Sequence, residues 1–122
     1  MGCIYTGFKH NHSVNGTFKI GKTTNKKPTS RLSANGLTGL MYFSAPNASA
    51  NDLLLLESVA RSAAERISAL SPYRVDWFAY QMDGSEKYSE VKPFAEKVME
   101  VVKNTADNMG IEGQVYQYPW LA

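Results

Sequence analysis

Gly2-Cys3-Ile4-Tyr5-Thr6-Gly7-Phe8, followed after a polar interval by Thr17-Phe18-Lys19-Ile20-Gly21, is the stretch that decides the fold. Cys3 to Phe8 is apolar, aromatic and β-branched, which suits a strand, and Phe18 and Ile20 alternate with smaller or polar neighbours in strand fashion. The interval from Lys9 to Gly16 is polar and ends in Asn15-Gly16, a turn dipeptide. The two segments are therefore expected to pair as an antiparallel hairpin.

The rest of the chain punctuates clearly. Pro28 stands where a short helix can open and Gly36 where it would end. Leu40 to Ala45 is a third strand candidate. A long helix is expected from Asp52 to about Leu70, with Leu53, Leu56, Val59, Ala60, Ala63, Ala64, Ile67 and Leu70 at helical spacing and Ser71-Pro72 as its stop. Arg74 to Met82 reads as one strand and Asp83-Gly84 as a turn. A last helix from about Ser89 to Met109 would bury Val91, Phe94, Val98, Val101 and Val102, with Gly110 as its cap. Ile111 to Ala122, carrying Tyr116, Tyr118 and Trp120, reads either as a final strand or as a partner-binding tail.

A chain of 122 residues is the usual size of one domain and can bury a real core without covalent staples. Its one cysteine, Cys3, cannot form an internal disulfide, which argues against an oxidised secreted scaffold. No basic stretch followed by an apolar run opens the sequence, and no apolar run is long enough to cross a bilayer, so a cytoplasmic protein without membrane contact is expected. The net charge of +2 hides an asymmetry: no Asp or Glu precedes Asp52, while Lys9, Lys19, Lys22, Lys26, Lys27 and Arg31 all do. A one-sign stretch makes a local positive field, and phosphates are its natural partner; Lys9, Lys22, Lys26 and Lys27 are the nucleic-acid-binding candidates. A solvated basic loop is the competing explanation.

Two motifs mislead. Gly16-Thr-Phe-Lys-Ile-Gly21-Lys22-Thr23 fits the Walker A pattern, and Leu53 to Glu57 imitates a Walker B strand. A phosphate loop needs a strand before it and a helix opening at the lysine. Here a polar run precedes Gly16, Phe18 and Ile20 alternate inside the supposed loop, and Leu53 to Glu57 continues into a helix. His10-Asn11-His12 only spells the name of a nuclease class that spreads its residues over a hairpin and a helix.

Taken in order, several short motifs resemble the GIY-YIG nuclease superfamily, in its phage-type branch. Gly2-Cys3-Ile4-Tyr5 is similar to the opening element, and Asn15 to Gly21, with Lys19-Ile20-Gly21, to the "KIG" form of the second. Thr23-Thr24, Arg31-Leu32, Glu57 in the long helix and Asp76-Trp77-Phe78 follow in that branch's order. The resemblance covers Gly2 to Gln81. It divides the single domain 1–122 into a core, 2–81, and a C-terminal helix with aromatic tail, 82–122. It implies an α+β fold, a mixed α/β sandwich with a small antiparallel sheet at its centre and helices flanking it.

The resemblance also implies phosphodiester hydrolysis of DNA with one weakly held divalent ion, Mg²⁺ or Mn²⁺. Tyr5 would be the base, its phenol's proton affinity lowered by metal and cations; Lys19 a cation beside the phosphate; Arg31 a fork on the phosphate oxygens; Glu57 the metal ligand. The chain departs from the pattern at Cys3, which separates Gly2 from Ile4, at Lys19 in place of a second tyrosine, and at Arg61 where a histidine is common. Gln81 is the candidate for a late amide ligand. Each residue also has an ordinary reading: Tyr5 as a half-buried strand aromatic, Arg31 as a surface residue, Glu57 as an acid placed by the helix dipole. The alternatives are a non-cutting descendant that binds DNA or a host protein, the latter through Tyr116, Tyr118 and Trp120, and a nucleotide-binding domain built on Gly16 to Thr23.

Overall fold

The structure, a computed structural model, describes residues 1–10, 15–81 and 87–119. The opening hairpin is present. β1 (Gly2–His10) and β2 (Asn15–Thr23) pair antiparallel from Cys3↔Thr23 to His10↔Gly16. Both strands run longer than expected from the sequence, because the polar residues Lys9, His10, Asn15 and Gly16 join the ladder. The tip of the hairpin, including His12, lies outside the described residues, as does the expected turn at Asp83-Gly84.

After β2 come α1 (Thr29–Ala34), β3 (Thr38–Ala45), α2 (Ala50–Glu65), β4 (Ser71–Arg74), β5 (Trp77–Gln81), α3 (Lys87–Met109) and β6 (Gln114–Gln117). The six strands form one antiparallel sheet in the order β4-β5-β2-β1-β3-β6. The protein is thus an α+β sandwich. Gly36 adopts φ +65° just after α1, and Gly110 φ +73° just after α3, the left-handed conformation that ends helices at glycine.

Alternation sorts the sheet into two faces. Ile4, Phe8, Phe18, Ile20, Phe43, Phe78 and Tyr80 point to one and are buried against α2 and α3, whose Leu53, Leu56, Ala60, Val91, Val98 and Val102 complete the core. Phe94 closes it with edge contacts to Phe18 and Tyr80. The opposite face carries Tyr5, Lys9, Lys19, Tyr42 and Trp77, covered in part by α1, where Leu32 packs against Gly7 and Gly39. β1 and β3 shift register between Tyr5 and Gly7, and there the buried Thr6 hydroxyl donates to the Met41 carbonyl (2.8 Å) and accepts from its N–H (3.1 Å). This side chain replaces ladder bonds lost at the bulge.

Four expectations need correction. α2 begins at Ala50, where Ser49 and Asp52 exchange 3.1 Å hydrogen bonds in a capping box, and ends at Glu65. Ile67 and Leu70 keep the helical spacing but pack inward from tight turns (Ile67 N–H to Ala64 O, Leu70 N–H to Ile67 O, both 3.0 Å). The single strand from Arg74 to Met82 is instead two, split at Asp76, whose φ of 69° turns the chain. Ser71-Pro72 therefore starts an edge strand, the place in a sheet that tolerates proline. On α3, Val101 is 40% exposed, and Ala95, Met99 and Ala106 are buried in the core instead. The tail contributes an edge strand, β6, paired with β3 from Met41↔Gln117 to Ser44↔Gln114.

The Walker-like octet is extended strand throughout, paired on both sides over much of its length, and Leu53 to Glu57 is helical. Its backbone N–H groups are spent on neighbouring strands and cannot converge on a phosphate.

Candidate active site

β5 pairs with β2 only as far as Lys19↔Trp77. One residue further the Ile20 N–H donates to the Asp76 carbonyl at 2.9 Å, and there β5 stops. β2 continues alone on that side to Thr23, leaving a notch in the sheet where side chains of both faces can meet. Ladder geometry thus decides the position of the site.

Tyr5 enters the notch from the open face. It pairs with Gly21, and its ring lies across that glycine so closely that a Cβ there would overlap the ring tip and hydroxyl. The missing side chain lets the phenol cross β2 toward the uncovered edge. Tyr5 is only 3% exposed. Lys19, one ladder step along, lies on the same face. Arg31 projects from α1, which Leu32 anchors on Gly7 and Gly39. Glu57 comes from α2 on the core side and is 8% exposed. Asp76 occupies the turn that ends β5's pairing.

The charges act on one another. Burial raises the Tyr5 phenol above its ordinary value; Arg31 pulls it down, while Glu57, Cys3 and Asp76 push it up further. Burial lowers Lys19 below the usual lysine range, opposed by Asp76 and Glu57 and assisted by Arg31. Burial also raises Glu57, with Asp76 the strongest charge in the same direction and Lys22, Arg61 and Lys19 pulling it down. Arg31 lowers the proton affinity of Tyr5 as expected of a neighbouring cation, but desolvation of a nearly buried phenolate outweighs it. Tyr5 and Lys19 are thus each acted on by both Arg31 and Glu57, and Glu57 is acted on by Lys22.

Asp76 is the residue that the sequence reading left without a role. Arg61 Nη1 stands 3.1 Å from its Oδ1, an ion pair by distance, yet that buried oxygen accepts no hydrogen bond because the guanidinium N–H does not point at it. Glu57 makes no ion pair or side-chain hydrogen bond among the described residues. Asp76, with a buried oxygen that accepts no hydrogen bond, and Glu57, on which it acts electrostatically, are the carboxylates that could hold a hard divalent cation. Among the described residues no group of three or more His, Cys, Asp or Glu gathers. An ion held by Glu57 and Asp76 would therefore draw most of its ligands from water and phosphate. A signal for Asp76 was present, since it opens the quoted Asp76-Trp77-Phe78 motif, but only the split between β4 and β5 turns it toward Glu57.

Other candidates lie elsewhere. Lys9 lies over the Trp77 ring, as Lys19 does. Lys26 and Lys27 are exposed in the bend after β2, and Lys26 lines a cleft with Glu112 and Tyr116. Gln81 pairs with Asn15 at the far end of β5 and is not near Glu57. Tyr116 stacks on Tyr42 (centroids 5.4 Å, planes at 24°), and Tyr118 packs against Gly39. Trp120 lies outside the described residues. None of the helices among those residues is long and apolar enough to cross a membrane. Compared with known proteins, the chain matches no family model, no curated protein and no solved structure.

Proposed function

We propose that the protein is a metal-dependent endonuclease that hydrolyses phosphodiester bonds of DNA, in the manner of phage-type GIY-YIG nucleases. What supports this reading is the mutual electrostatic influence of Tyr5, Lys19, Arg31 and Glu57, which come from β1, β2, α1 and α2, near the point where β5 stops pairing with β2.

Hydrolysis forms a bond from a water oxygen to phosphorus and breaks one phosphorus–oxygen ester bond. The water gives up a proton, and the leaving oxygen must be neutralised. A divalent ion held by Glu57, with Asp76 beside it, supplies charge neutralisation when bound. Arg31, exposed on α1 and close enough to influence both Tyr5 and Lys19, grips the nonbridging oxygens through its planar fork. Lys19, partly desolvated, offers a cation whose field is stronger than in bulk water. Tyr5 orients the attacking water through its hydroxyl, and phosphate-site cations must outweigh its burial before it can take the proton.

The raised Tyr5 phenol favours a second reading, a chain that binds nucleic acid on this surface without cutting it. One experiment separates the two. Purified protein is incubated with labelled DNA in Mg²⁺, Mn²⁺ or EDTA, beside Glu57→Gln. The nuclease reading expects metal-dependent cleavage reduced about 10²–10³-fold in the variant, the usual cost of losing one electrostatic partner in a transition state. Salt-sensitive binding without cleavage would leave the second reading.

A further inference from the structure

We propose that Trp77 is a base-stacking platform, and that the nucleic acid held at the notch presents an unpaired base to it beside the scissile phosphate. The inference rests on the nucleic-acid reading above for its class of ligand and goes beyond it in naming the strand state.

Trp77 is the first residue of β5 and sits on the face of the sheet away from the core, while its neighbours Phe78 and Tyr80 are buried on the other side. It is half-buried, and the α1 cover at Gly7 and Gly39 is made by Leu32. Two ammonium groups lie over the indole instead, Lys19 Nζ at 4.9 Å and Lys9 Nζ at 5.1 Å from the ring centroid. The ring attracts both, but the two cations repel each other, and an anion entering between them relieves that repulsion. β1, β2, α1 and β3 bring no acid to this face, because no Asp or Glu precedes Asp52. Among the described residues the carboxylates that act on Lys19 are Asp76, itself 3.1 Å from an Arg61 guanidinium nitrogen, and Glu57 on the core side. A nucleotide that displaces the two ammonium groups from over the ring is complementary to this arrangement: its base meets the indole and its phosphates meet the displaced lysines.

Position ties the platform to the chemistry. Trp77 follows Asp76 in the chain and is the ladder partner of Lys19, so a base stacked there belongs to a nucleotide whose phosphate reaches the notch. Within a duplex both faces of every base are covered by its neighbours, so the indole is accessible only to a base in a single strand, flap or loop, at an end, or flipped out.

The test is made in EDTA, where hydrolysis is silent. Trp120→Phe leaves Trp77 as the only indole, and its fluorescence is followed during titration with a single-stranded oligothymidylate or a relaxed circular duplex, which has no ends. The proposal expects quenching by the single strand and tighter binding of it than of the duplex. It also expects Trp77→Leu to weaken single-strand binding about tenfold or more, Trp77→Phe to restore much of it, and duplex binding to fall less than single-strand binding. Equal affinity for the two forms, or Trp77→Leu unchanged while folded, overturns it. If Trp77→Leu does not fold, quenching in the Trp120→Phe protein decides alone. Trp77-dependent single-strand binding without cleavage in Mg²⁺ would end the nuclease reading and leave the platform standing. Duplex cleavage indifferent to Trp77→Leu would do the reverse.

Discussion

The ring of Tyr5 lies across Gly21, its register partner on the neighbouring strand, and fills the space where any other residue would place its Cβ. One glycine of β2 thereby lets a phenol from β1 reach across the sheet toward the notch near Glu57 and Asp76.

Gly21→Ala is expected to displace that ring. Forcing a methyl group into a packed site costs about 1–3 kcal/mol, read as a lower urea midpoint, and cleavage should fall with it. Gly16→Ala on the same strand meets the Tyr80 ring on the core side instead. It should lose comparable stability while keeping the rate per folded molecule. Equal losses of rate in both variants would show that the Tyr5–Gly21 contact has no special role.

Glu57 should make stability depend on pH in a defined sense. Its folded pKa is raised, first by burial and then by Asp76. A carboxylate of this kind contributes stability below its ordinary value near 4.5, and that contribution is lost as pH rises through the folded value. Glu57→Gln should therefore be more stable than wild type at neutral pH, and the difference should vanish in acid. Mn²⁺ should raise the melting temperature of wild type and not of the variant. Urea midpoints across the pH range and a melt with Mn²⁺ check both.

Asp76 turns the chain at φ 69°, a conformation that asparagine also adopts readily. Asp76→Asn should keep the turn and the fold but remove a charge from the notch, weakening Mn²⁺ binding measured by calorimetry. Unchanged Mn²⁺ affinity in a folded Asp76→Asn protein would assign the ion to Glu57 alone.

Leu32 is the buried residue of α1 and holds the helix on the two glycines beneath it. Leu32→Ala should cost about 2–5 kcal/mol, the range for a buried leucine. It should also loosen Arg31, raising KM more than mere destabilisation does. A KM unchanged in the folded fraction would separate Arg31 from substrate.

Much of this was legible in the sequence because the signals are local. The strand composition of Cys3 to Phe8 and the alternation of Phe18 and Ile20 announce the hairpin, although Asn15 and Gly16, expected in its turn, are paired residues of β2, and Gly36 and Gly110 end helices in the left-handed conformation the sequence suggested. The misreadings have non-local causes. Arg74 to Met82 carries an unbroken strand composition, and only docking of the Asp76 carbonyl on the Ile20 N–H shows where the chain turns. Ile67 and Leu70 repeat the helical period yet reach the core from turns, since periodicity reports burial and not the backbone that delivers it. Tyr5, Lys19, Arg31 and Glu57 were named from motif order. Asp76 was quoted without a role, because its approach to Glu57 depends on where two strands stop pairing. The high proton affinity of Tyr5 was equally hidden, because burial cannot be read from a strand motif.

The central claim is that Tyr5, Lys19, Arg31 and Glu57 work as one site, and a double-variant cleavage assay tests it most directly. Rates in Mn²⁺ are measured for wild type, Arg31→Gln, Glu57→Gln and the combination, with folding checked for each. Residues acting as a unit lose little more together than the worse one loses alone. The account predicts metal-dependent cleavage by wild type, a large loss in each single variant, and a double variant close to the lower of the two. Wild type that cuts with losses multiplying independently, or folded wild type that does not cut at all, would contradict it.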